Sequence, residues 1–212
     1  MKKIYIVGGN GFARECYLTL SKLIQYNSDI NFGGFLGHGG YGKTVDYKQL
    51  QKYYIGEVSD KNFSEDEFVI IGAGYPELRH KIYNELKSRK INFYNLISPI
   101  IKINDYVEIG EANVIMAPFT IGPDVKIGDG NVFNGDVVVG HDAVVGNFNF
   151  IGGKSQILGN TRIGNDNTIG SACVFLPNSK IGNNNKIAPI SAVYKGCKDN
   201  CYMLGNPALI IK

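Results

Sequence analysis

The sequence predicts a two-part chain: a Rossmann-like α/β domain followed by a left-handed parallel β-helix. Three observations carry this. Apolar residues recur at every sixth position from Ile103 to Val193 without an insertion. Glycine follows nine of those sixteen positions. The first hundred residues instead alternate strand-like runs with helical ones.

The elements follow in chain order. KIYIVG, residues 3–8, reads as a buried strand. GGNGFARECYLTLSKLIQ reads as a glycine turn opening a helix, with Phe12, Cys16, Leu20, Leu23 and Ile24 at helical spacing. INFGGFLG (30–37) and EFVIIGAG (67–74) are further strands, PELRHKIYNELKSRK is a second helix, and INFYNLIS supplies a fourth strand near 91–97. Strands alternating with helices imply a small parallel sheet. The domain is placed at 1–97 and the solenoid at 98–212.

A period of six fits neither a helix nor a plain strand unless every repeat contains a turn. Three hexapeptides then close one triangular coil, and coils stack. The eighteen-residue period is visible in the column Gly110, Gly128, Gly146, Gly164 and Gly182. About five coils at strand spacing give a prism on the order of 24 Å tall. Its open edges need covers. The N-terminal domain is expected over one end and the tail LGNPALIIK over the other.

Composition narrows the function. The 212 residues are 44% hydrophobic and 19% charged, with a net charge of +3. That balance, without basic runs, argues against nucleic acid or a membrane surface as partner. No stretch reads as a signal peptide or a membrane span, so the expected location is the cytoplasm. The four cysteines read as free thiols, and no metal site is expected, because no histidine completes a ligand set.

Two places carry chemistry. Gly8, Asn10, Gly11 and Phe12 form a strand-to-helix turn, which suits phosphate because the helix N-terminus presents free N–H groups. A dinucleotide site also wants an acid at the end of the second strand; FLGHGG has none, which argues against NAD. The second place is His141, in GDVVVGHDAVVGNF. The solenoid sets it at an outward-pointing corner. Asp142 can orient its ring as in a base–orienter pair. Gly159, one coil later, leaves room for a substrate atom and offers its N–H to a developing oxyanion. His80 reads as a surface residue on a charged helix face. His38, in the loop FLGHGGYG, can meet a substrate.

The stretches KIYIVGGNGFARE, VIIGAGYPELRHKIY, VVVGHDAVVG, LGNTRIG and LGNPA together resemble the bacterial sugar acyltransferases related to bacillosamine N-acetyltransferase and sialic acid O-acetyltransferase. The resemblance spans nearly the whole chain. It implies homotrimers with active sites between subunits, a nucleotide sugar held by the Rossmann-like domain and acetyl-CoA as co-substrate on the β-helix. By that resemblance His141 is the general base, Asp142 stands for a carboxylate that is usually Glu, and Gly159–Asn160 is the oxyanion pair. Asn134 matches an asparagine near the sugar. The coenzyme runs near Ser171 and Pro189, with its tail by Gly205, Asn206 and Pro207. A family histidine that contacts acetyl-CoA is Phe150 here, and the acids that hold the nucleoside are Gly37 and His38. The activity implied is acetyl transfer to the amine of a nucleotide-linked amino sugar, or alternatively to a sugar hydroxyl. A non-catalytic scaffold is a weaker alternative. A zinc hydratase of the carbonic anhydrase type needs three converging histidines, and the solenoid holds one.

Overall fold

The computed structural model describes residues 1–40 and 48–211. Of the FLGHGGYG segment, Tyr41 and Gly42 lie outside these residues.

The N-terminal sheet is wholly parallel. β1 (Lys2–Val7), β2 (Ile30–Gly37), β3 (Tyr54–Glu57), β4 (Glu67–Ile71) and β5 (Asn92–Phe93) lie in the order β3-β2-β1-β4-β5. α1 (Gly11–Tyr26) follows β1 and α2 (Pro76–Ser88) follows β4. Alternation along β1 explains the two layers: Ile4 and Ile6 pack with Ala13, Cys16 and Leu20 of α1, whereas Tyr5 and Val7 join a core with Ile82 and Leu86 of α2. The order reverses beside β1, so the carboxyl ends of β1 and β4 open a crevice where ligands of such sheets sit.

Two details depart from the sequence reading. β3 is a strand that the pattern of residues 54–57 does not announce. The run 91–97 is also split. Asn92–Phe93 pairs with β4, but Leu96–Ile97 pairs with Val114–Ile115 of the solenoid. Asn95 marks the break, because its side chain accepts from the Asn113 amide and donates to the Gly110 carbonyl.

The remainder is a left-handed parallel β-helix with three faces. Face 1 carries Leu96–Ile97, Val114–Ile115, Val132–Phe133, Phe150–Ile151, Thr168–Ile169, Lys186–Ile187 and Tyr202–Leu204. Face 2 runs from Phe119–Ile121 to Ala192–Val193, and face 3 from Glu108–Ile109 to Gly196–Cys197. The inward residues, among them Ile115, Phe133, Ile151, Ile169 and Phe175, form one continuous buried core. Regular coils begin at Glu108; it is Ile101, not Ile103, that packs against this core. The last coil is two residues short, since Ile181 pairs with Cys197 and Ile187 with Met203. Leu209–Ile210 then adds an antiparallel strand beside Met203–Leu204.

The N-terminal domain does not cover the end of the prism as expected. It lies along face 1. The cause is the outward row of that face, where Leu96, Val114 and Val132 are fully buried in one cluster with α1 and β1. The corresponding outward row of face 3 reads Glu108, Lys126, Val144, Arg162 and Lys180, which belongs in water. Arg79 on α2 fixes the docking. The residue is 1% exposed, and its guanidinium donates to four carbonyls: Ile71 at the end of β4, Ala73 just after it, and Ala112 and Gly130 of the solenoid. Burial brings its pKa down to about 10, which still leaves it charged at neutral pH.

Candidate active site

In the series of corners from Ala112 to Ile190, each places one residue in the left-handed backbone region, at φ of +53° to +67°, except the corner occupied by Pro118. Asp and Asn tolerate that conformation best among residues with a side chain. They fill it at positions 124, 136, 142, 160, 166, 178 and 184. Asp142 is therefore a residue the corner favours for its backbone. His141 is the residue the repeat does not call for.

His141 lies at the corner between faces 2 and 3. Its Nδ1 is 2.7 Å from Asp142 Oδ2, and both side chains are more than half exposed. That contact occupies Nδ1 and, among the described residues, leaves Nε2 without a hydrogen-bond partner. The Nε2 edge of the ring lies against Gly159. A Cβ there would stand 2.5 Å from Nε2 and 2.7 Å from Cε1. The space at Gly159 is thus filled by the imidazole itself, which corrects the expectation that it is left for a substrate atom. The carbonyl of His141 accepts from Asn160 N–H at 2.9 Å, while Gly159 N–H has no partner among the described residues. A base and an unpaired amide donor stand side by side.

The second feature is a cleft between the N-terminal domain and face 1. Its volume is about 390 Å³, and Asn10, Phe12, Gly74, Tyr75, Asn134 and Phe150 line it. Gly8 turns the chain at φ +126°, a value only glycine adopts freely. Asn10 caps α1 in extended conformation without a side-chain hydrogen bond to the helix, and no acid occupies the first turn. Four N–H groups of that turn are left for a ligand. Phe150 packs with the α1-side core at the back of the cleft. Through Tyr75 and Thr168 the cleft continues into a groove of about 1080 Å³ beneath α2.

The structure thus sorts the expected residues into three places. Asn10, Phe12, Asn134 and Phe150 meet at the cleft, while Gly8 and Gly11 belong to the turn that carries Asn10 but do not line it. Ser171 and Pro189 climb the edge between faces 1 and 2, each stacked on the glycine of the coil before, Gly152 and Gly170. The tail crosses the top of that edge, where Gly205 accepts from Ala192 N–H and donates to Ser191 Oγ. His141, Asp142, Gly159 and Asn160 hold the opposite edge, with the whole of face 2 between. His38 joins none of these. It is 6% exposed, and its Nε2 is 2.8 Å from Glu85 Oε2 on α2.

His80 keeps a partly exposed side chain at the surface, as expected, but it is not free there. Its ring stacks on Phe148, with centroids 4.0 Å apart and planes 9° from parallel, and Nδ1 is 2.9 Å from Asp166 Oδ1. It ties α2 to the corner between faces 3 and 1. Sequence reasoning missed this contact, Arg79 and the docking face. One signal was available: Leu96, Val114, Val132 and Phe150 are outward positions eighteen residues apart, and all four are apolar.

Among the described residues no cluster of His, Cys, Asp and Glu could hold a metal ion, and no helix is long and apolar enough to cross a membrane.

Residues 160–195 match the family described as bacterial transferase hexapeptide (six repeats). No curated protein matches the sequence. Solved structures match the entire fold. The acetyltransferase domain of PglB from Neisseria gonorrhoeae FA1090 superposes with a TM-score of 0.87 at 20% identity, covering 100% of both chains. The same domain has been solved in complex with acetyl coenzyme A. WeeI from Acinetobacter baumannii AYE gives 0.86 at 23% identity over 100% of both chains. PerB from Caulobacter crescentus, in complex with CoA and GDP-perosamine, gives 0.76 at 20% identity over 100% of this chain and 98% of its own.

Proposed function

We propose that the protein transfers an acetyl group from acetyl-CoA to the amine of a nucleotide-linked amino sugar. The observation that carries this is the pairing at one corner: a histidine oriented by Asp142 beside the unpaired Gly159 amide. Two chains of the same fold, one crystallised with acetyl coenzyme A and the other with CoA and GDP-perosamine, support the choice of donor and acceptor.

In this reading the sugar amine attacks the thioester carbonyl carbon directly. His141 Nε2 takes the proton that the nitrogen loses as the C–N bond forms. The carbonyl electrons move onto oxygen, and Gly159 N–H, followed by Asn160, stabilises the oxyanion. Collapse breaks the C–S bond, and the imidazolium returns its proton to the departing thiolate. Asp142 accepts from Nδ1–H and favours the charged ring while it exists. Among the described residues no serine or cysteine side chain hydrogen-bonds to His141, and no covalent enzyme intermediate is invoked.

The cleft and His141 stand on opposite sides of the prism, so a sugar held in the cleft meets the histidine of another copy. Face 2 supports the contact. Its outward residues Thr120, Val138, Gln156, Val174 and Ala192 are uncharged, unlike the charged row of face 3. A homotrimer closes such heterologous contacts into a ring. Ser171, Pro189 and Gly205 to Pro207 then carry the coenzyme along the edge between faces 1 and 2, towards the neighbour's His141. Four free thiols suit a reducing cytoplasm.

The test is a thiol-release assay with acetyl-CoA against a panel of nucleotide-linked amino sugars. Turnover with an amino sugar, giving a product stable to hydroxylamine, supports the proposal. A hydroxylamine-labile product would identify an ester and a hydroxyl acceptor. No thiol release with any acceptor would refute acyl transfer.

A further inference from the structure

β2 ends at Gly37, His38 follows it, and neither offers a carboxylate at the crevice. β3 does. Gly37 is paired in register with Glu57, and the Glu57 carboxylate folds across the glycine. A Cβ at Gly37 would stand 2.3 Å from Oε1 and 3.0 Å from Oε2. The Tyr54 hydroxyl donates to Oε1 at 3.1 Å and fixes one oxygen.

The side of the sheet follows from alternation. Phe35 belongs to the α1-side core and Leu36 to the α2-side core. Gly37 therefore faces the α1 side, and His38 faces α2, where it meets Glu85. The Glu57 carboxylate thus lies on the same side as the Gly8–Phe12 turn, at the carboxyl ends of the strands. In open parallel sheets of this kind, the phosphates sit at the first helix N-terminus and an acid at the end of the second strand accepts from the ribose 2′-hydroxyl.

We infer that Glu57, reaching over Gly37 from the neighbouring strand, accepts the ribose 2′-hydroxyl of the nucleoside diphosphate carried by the sugar. The inference rests on the nucleotide-sugar reading above. It explains why position 37 is glycine: any side chain would evict the carboxylate. It also places the specificity for ribonucleotides on β3, where the β2 sequence gives no sign of it.

Titration calorimetry with uridine diphosphate, guanosine diphosphate and their 2′-deoxy counterparts tests this, using the full chain and the variants Glu57→Gln and Gly37→Ala. Retention of the melting shift given by coenzyme A shows that each variant is folded. The expected result is a loss of about tenfold or more in ribonucleotide affinity in both variants, as for a hydrogen bond to a charged group. The 2′-deoxy forms bind the wild type weakly and do not respond to Glu57→Gln. Unchanged ribonucleotide binding in Glu57→Gln would overturn the inference. So would an equal loss for ribo- and deoxynucleotides, which would put the carboxylate on the base. A wild type that binds coenzyme A but no nucleoside diphosphate would overturn both this inference and the nucleotide part of the functional reading, leaving acyl transfer intact.

Discussion

Two corners of the same prism share a backbone and differ in what they do with their amides. At the corner between faces 3 and 1, Asn113, Asn131, Asn149, Asn167 and Asn185 stack at eighteen-residue intervals, all nearly or fully buried. Each Oδ1 accepts the backbone N–H of the next rung: Asn131, Asn149, Asn167, Asn185 and finally Cys201. A second ladder runs beside it, through Asp129, Asn147, Asn165, Asn183 and Asp199. Among the described residues the first ladder fails only at its end. Asn185 Nδ2 has no partner where the last coil is two residues short. At the corner between faces 2 and 3, the residues at the step of His141 are Pro123, His141, Gly159 and Pro177. No such ladder forms there, and the Gly159 amide has no partner among the described residues. The lesson is that the repeat fixes the turn, while side-chain choice decides whether an amide is tied into the stack or left for a ligand.

The comparison can be broken at either corner. His141→Ala has the largest expected effect. Thiol release should fall by about 10²–10⁴-fold, as for loss of a general base, with an unchanged melting temperature because the side chain is exposed. Gly159→Ala should come next, with a loss of about a hundredfold. The new methyl occupies the position of the imidazole and displaces it from the adjacent donor. Asn149→Ala should do the reverse. It removes bonds to Gly164 O and Asn167 N inside the prism. Chemical denaturation should show a stability loss of about 2–3 kcal/mol, while the protein that remains folded keeps its specific activity. Asp142→Asn is the mildest. Asn keeps the left-handed turn, so stability should hold, and kcat should fall by about tenfold as the solvent-exposed orienting charge is lost.

The same contrast explains what the sequence made legible. The solenoid was readable because one geometric constraint recurs: Ile127, Val145, Ile163 and Ile181 must each face the same interior every eighteen residues. His141 stood out as a departure from that pattern. Asp142 did not deserve equal weight, since the left-handed corner already favours it. The N-terminal domain was less legible because its decisive contacts are between elements far apart in the chain. Arg79 reads as one charge on a mixed helix until its carbonyl partners at 112 and 130 come into place. His80 reads as a plain surface residue, and its stacking on Phe148 appears only in the fold. β3 was missed because Tyr54–Glu57 is short and irregular in its pairing with β2.

The central claim is that the histidine of one copy serves the cleft of another. Gly74→Trp gives a copy with a blocked cleft, since a side chain there points at Phe150 and Phe12, 3.5 and 3.7 Å from the Cβ position. His141→Ala gives a copy with an open cleft and no base. Each is expected to be inactive alone. When the two are unfolded together and refolded as a mixture, the account predicts that activity returns, at about a quarter of the wild-type sites for random assembly of a cyclic oligomer. A refolded mixture as inactive as its parents, alongside wild type that regains activity under the same treatment, would contradict it.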